Sequence, residues 1–152
     1  MPAYPGFAGG SYTAQSPKSR NERTVNFYVE DGTLYPTPGV VTLATATESP
    51  GRAHFAQDGR EFCVIGPTLY EVSSEGALTS RGTVAVDTNP ATIVSSGDTG
   101  GELFITSGDN GYILTLATNA FATVRTGATT MGDYLDGFFL ALDAATSTLF
   151  IS

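Results

Sequence analysis

The chain has 152 residues, a net charge of −8 and a pI near 4.3, and 41% of its residues are apolar. That length suits one domain with a core of its own, and the apolar share excludes a disordered tail. The acidic balance argues against a general polyphosphate-binding surface. Charged residues make up only 14%, so Ser, Thr and 18 glycines supply the remaining polarity, a composition of strands and turns.

The first residues, "MPAYPGFAGGSYTAQSPKSRNER", carry Pro2, Pro5, Gly6, Gly9, Gly10 and Pro17 and read as an irregular N-terminal arm over residues 1–23. This opening has no positive n-region and no continuous apolar stretch, so it is not a signal peptide. No window approaches the ~20 apolar residues of a membrane helix, and synthesis in the cytoplasm with no membrane partner is expected. Three of the seven cations, Lys18, Arg20 and Arg23, lie in this arm, whereas fourteen of the fifteen acids follow Arg23. A basic arm on an acidic body suits docking against another protein or a copy of the chain.

"TVNFYVE", Thr24–Glu30, alternates and is rich in β-formers, so it predicts a strand. "LYPTPGVV" follows, where Pro36 and Pro38 forbid a central strand. "PGRAHFAQDG" is too short and too Gly-bounded for more than a turn of helix. From there a loose repeat sets in. "REFCVIGPTLYEVSSEGALTSRGTV" predicts three strands and two turns, and "GELFITSGDNGYILTLATNAFATVRTG" repeats the plan over Leu103–Ser107, Tyr112–Leu116 and Phe121–Arg125. "DGFFLALDAATSTLFIS" starts it again with Phe138–Leu142 and Leu149–Ile151. The starts at Phe62, Leu103 and Phe138 are 41 and 35 residues apart, close to the period of propeller blades. The expected architecture is all-β: antiparallel meanders forming two to three blades of a partial β-propeller over residues 24–152, behind the irregular arm. Two meanders and a hairpin close no ring, so the chain is expected to be the N-terminal part of a longer protein.

Chemistry-bearing residues are sparse. His54 is the only histidine, with Asp58 four residues on and no nucleophile marked by a motif, so no catalytic triad is predicted. Asp98, Glu102, Asp109 and Asn110 in "SGDTGGE" and "SGDNGY" offer hard oxygen donors, but lack calcium-loop spacing and match ordinary turn chemistry. Asp133 and Asp136 are the closest carboxylate pair and read as loop residues. Cys63, in "FCVIG", is expected to be a buried, inert thiol, and being alone it excludes an internal disulfide. No phosphate loop or dinucleotide fingerprint occurs. No catalytic residue, metal or cofactor is predicted.

In order, "PGFAGGSYTAQSPKSRNERTVNFYVE", "LYPTPGV", "NGYILTL" and "DGFFLA" with "LFIS" resemble the N-terminal portion of the tail accessory hub, or packaged-DNA stabilization, family of short-tailed bacteriophages. Each motif is short; their order along the chain carries the resemblance. It implies a β-propeller-like, non-enzymatic virion protein of the tail that assembles as a ring, a hexamer in the family. Its partners would be the portal or head-to-tail adaptor, the tail needle and the tailspikes, and its task closing the channel so that packaged DNA stays in the head. Sequence-specific DNA binding is not implied, and the family's members are longer than this chain. Lys18, Arg20, Asn21, Glu22, Arg23 and Asn26 are the expected intersubunit or adaptor-facing residues. A glycan-binding or carbohydrate-active propeller is the alternative, with Tyr70, Tyr112 and Tyr134 lining an axial pocket; a surface adhesin of meanders ranks below it.

Overall fold

The structure, a computed structural model, describes residues 27–30, 33–37, 39–97 and 100–152. Two compact units divide the chain, Met1–Thr42 and Leu43–Ser152. In the first, β1 (Phe27–Glu30) and β2 (Thr33–Pro36) form an antiparallel hairpin in which Pro36 stands opposite Phe27. Both strands of this pair are edges, the position in a sheet that tolerates proline.

The second unit holds three antiparallel meanders. The first sheet contains β3 (Gly51–Gln57), β4 (Arg60–Ile65), β5 (Thr68–Val72) and β6 (Leu78–Thr83). The second contains β7 (Thr92–Ser95), β8 (Glu102–Ser107), β9 (Asn110–Thr115) and β10 (Ala120–Arg125). The third contains β11 (Met131–Leu135), β12 (Phe138–Asp143) and β13 (Thr148–Ile151). Strand order in each sheet follows chain order. The first strands lie side by side, β3 by β7 and β7 by β11, and the outer strands β6 and β10 also meet. Such a stack of chain-ordered meanders is the blade arrangement of a propeller. Among the described residues there is no helix.

The sheets stack through alternating side chains. Phe62 and Val64 of β4 and Leu69 of β5 meet Ile93, Leu103, Ile105, Tyr112 and Leu114 of the second sheet in one buried cluster. The intervening residues of β8 turn the other way. Phe104 lies 5.4 Å, ring to ring, from Phe139 of β12, and Thr106 accompanies it against β11. Five consecutive residues of β8, Leu103–Ser107, are therefore buried. Gly132 of β11 permits the close approach: a Cβ there would stand 2.7 Å from the Phe104 ring.

Gly51–Gln57, where the sequence suggests at most a helical turn, is a strand. Its Ala53 and Phe55 pack against the core while His54 and Ala56 stay exposed, and this two-residue alternation overrides the weak β-propensity of Gly and Ala. Two other first strands, β7 and β11, are absent from the sequence reading for similar reasons: one has four residues and the other contains Gly132 and Asp133. The expected strands of the later repeats all appear, within two residues of their predicted ends.

Two-residue turns set the registers. Asp58–Gly59 joins β3 to β4, and Asp136–Gly137 joins β11 to β12, with positive φ at all four residues as a type I′ turn requires. In "SGDNGY" the left-handed pair is Gly108–Asp109 rather than Asn110–Gly111, and Asn110 already pairs with Ser107 in the ladder.

Truncating Phe62 should expose the dependence of the stack on this core. Phe62→Ala is expected to lower stability by about 3–5 kcal/mol, whereas Val86→Ala, at a side chain 85% exposed, should stay within about 0.5 kcal/mol. Urea unfolding followed by circular dichroism measures both.

Candidate functional site

The expected interface residues Lys18, Arg20, Asn21, Glu22, Arg23 and Asn26 all lie outside the described residues. The polar chemistry that is described gathers in three places: the junction of the first two sheets, the outer face of the first sheet, and the cleft beside the third.

Two arginines bracket the junction. At the β4–β5 turn end, Arg52 is buried and donates from Nε to the Asn89 carbonyl and from Nη1 to the Gly66 and Ala85 carbonyls, with Asp87 3.7 Å from Nη2. It fastens the connector between β6 and β7 to the first sheet. The same connector is held from the second sheet, where the Ala85 amide donates to the Tyr112 hydroxyl and the Ser107 hydroxyl donates to the Ala85 carbonyl. At the opposite end, Arg60 forms a fork with both oxygens of Glu71, at 2.8 and 2.7 Å, and reaches across to the Leu116 carbonyl and Asn119 Oδ1. Arg81 donates to the same carboxylate at 2.6 Å. The Arg60 hydrogen bonds, aided by Arg81 and opposed by burial, hold Glu71 down at about 2.

On the outer face of the first sheet the pairings align His54, Cys63, Tyr70 and Ser80 in one cross-strand row. His54 Nε2 lies 2.8 Å from Glu61 Oε1 rather than near Asp58, and both side chains are well exposed. The Tyr70 hydroxyl donates to Glu48, which raises the phenol and lowers the carboxylate. Cys63 is half-buried rather than fully buried, and desolvation followed by the charge of Glu61 pushes its thiol up. A neutral thiol is a weak nucleophile, so this environment lowers the reactivity of Cys63.

The third sheet carries two hollows. One, of about 400 Å³, opens between the second and third sheets and has Glu102 and Arg125 on its rim. The other lies on the far face of the third sheet, where Met131, Asp133, Leu140, Leu142 and Leu149 leave a depression of about 250 Å³. Asp133 is a strand residue and Asp136 a turn residue, so the two are not a facing carboxylate pair. Nor are the three tyrosines brought together: Tyr112 is buried and stacked on Phe121, Tyr70 lies on the outer face of the first sheet, and Tyr134 leans on Phe139. Among the described residues no group of His, Cys, Asp and Glu has metal-binding geometry. The Arg52 and Arg60 brackets, like β7 and β11, escaped the sequence reading: an isolated arginine says nothing of which carbonyls it will meet.

The Arg60–Glu71–Arg81 cluster makes a pH test possible. Because the folded Glu71 titrates at about 2, below its ordinary value of 4.5, its contribution is complete above about pH 4.5 and is lost as the pH falls through about 2. Glu71→Gln should cost about 1–3 kcal/mol at pH 7 and flatten the acid limb between those limits. Urea midpoints from pH 7 to pH 2 for both proteins decide it.

The comparisons with curated proteins and with solved structures returned no match. A family model described as "Bacteriophage P22 Gp10, beta-propeller" matches residues 6–152, a span that contains all three meanders. The agreement of that model with the all-β stack identifies the chain as a member of this phage-stabilisation family, a structural phage protein of the β-propeller class.

Proposed function

We propose that the chain is a non-enzymatic component of the phage tail hub at the head–tail connection, where it closes the portal channel and retains packaged DNA. It acts there as a ring, a hexamer by family resemblance, between the portal or head-to-tail adaptor and the tail needle and tailspikes. The observation that carries this reading is the family match over residues 6–152. Three properties of the molecule support it. The arginines Arg52 and Arg60 are committed to holding sheets and connectors together. The net charge of −8 suits a mechanical barrier better than a counterion for DNA. The cations Lys18, Arg20 and Arg23 offer acidic copies of the chain an opposite charge to meet.

In this reading the segment Lys18–Asn26 joins neighbouring subunits or the adaptor. Arg20→Glu combined with Arg23→Glu is expected to abolish ring assembly in sedimentation velocity while leaving the β circular dichroism unchanged. Rings that persist at the wild-type concentration would remove the arm from the interface.

A further inference from the structure

Residues 43–50, "LATATESP", lead into β3 from outside the four sheets, yet their exposure alternates. Ala44, Ala46 and Glu48 are half-buried, whereas Leu43, Thr45, Thr47 and Ser49 are exposed. A period of two belongs to an extended segment with one side laid on a surface.

The contacts place that surface along β5. At its start, in the turn from β4, the Gly66 amide donates to the Pro50 carbonyl at 2.8 Å. A Cβ on Gly66 would stand 3.0 Å from the Glu48 Cβ and 3.3 Å from the Ser49 carbonyl oxygen. At the other end, in the turn from β5 to β6, a Cβ on Gly76 would overlap the Leu43 carbonyl oxygen. Between the two turns the Tyr70 hydroxyl donates to Glu48 Oε1 at 2.8 Å, and the Thr47 hydroxyl donates to Oε2. The other inward residues are alanines, whose methyl groups bury little area. The hydrogen bond from Tyr70, made to a carboxylate, is therefore the principal side-chain attachment of the segment.

We propose that residues 43–50 are a strap, latched by Tyr70 and Glu48, that sets where the preceding chain leaves the first sheet. Latched, the strap brings Leu43 to Gly76, at the β5–β6 turn. Released, the point of departure reverts to Pro50 at the opposite end of β5, with up to about 26 Å of slack. The strap lies wholly within the second unit and stands independently of the ring arrangement proposed above.

Subtilisin digestion of the intact chain, with the cuts mapped by mass spectrometry, tests the latch, because a docked segment is cleaved only while it is released. In the wild type, cleavage within residues 44–48 should be at least tenfold slower than within the exposed residues 39–42. Tyr70→Phe and Glu48→Ala should each speed the slow cuts at least fivefold with unchanged circular dichroism. The double variant should do no more than either single one, since both remove the same bond. A nitroxide pair at Thr45→Cys and Val86→Cys, with Cys63→Ser, should give one narrow distance. The proposal fails if residues 44–48 are cut as fast as 39–42, if the latch variants change nothing or act additively, or if the nitroxide distance is broad.

Discussion

Burial of both faces of one strand organises the second unit. A single antiparallel meander has two faces and, in water, no means of covering either. β8 escapes that condition because Leu103 and Ile105 are covered by the first sheet while Phe104 and Thr106 are covered by the third. Each sheet thus becomes a stable layer only through its neighbour, which is the energetic logic of repeat architectures. Small residues follow from it: Gly82 and Gly132 occur where facing side chains leave no space for a Cβ.

Charge is arranged around that apolar stack rather than within it. Arg52 and Arg60 stand at opposite ends of the first junction and bind mostly to carbonyls and carboxylates of elements distant in sequence. A planar guanidinium with several donors can satisfy connector carbonyls and an acid simultaneously, so one residue fixes the offset between two sheets. With four of the chain's seven cations described, three of them so employed, little basic surface is left over in the second unit for a polyanion.

How much of this was legible in the sequence depended on which strand of each meander was read. Second and third strands such as "EFCVI" and "GYILT" are dense in β-branched and aromatic residues because they are packed on one or both faces. First strands lie closest to neighbouring sheets and use Gly, Ala, Ser and Thr, so "GRAHFAQ" and "MGDYL" lack a local signature. Their strand character comes from tertiary pairing, which a local window does not contain. The family was legible through the order of short motifs. The Arg52 and Arg60 brackets were not, since their partners are 11 to 59 residues away, and the expected docking segment Lys18–Asn26 lies outside the described residues.

The distribution of exposed apolar groups extends the same logic to assembly. Met131, Leu135, Phe138, Leu149 and Ile151 are all roughly half exposed or more, and all belong to the third sheet. They alternate with Gly132, Tyr134, Phe139, Ala141 and Phe150, which turn toward the second sheet. The third sheet therefore carries an apolar pattern on both faces, the pattern that β8 satisfies by having two neighbours. In β8 that pattern is accompanied by full burial; in β12 and β13 one side remains open to solvent. Contiguous apolar surface of this kind is a feature of contact surfaces rather than of water-facing sheet.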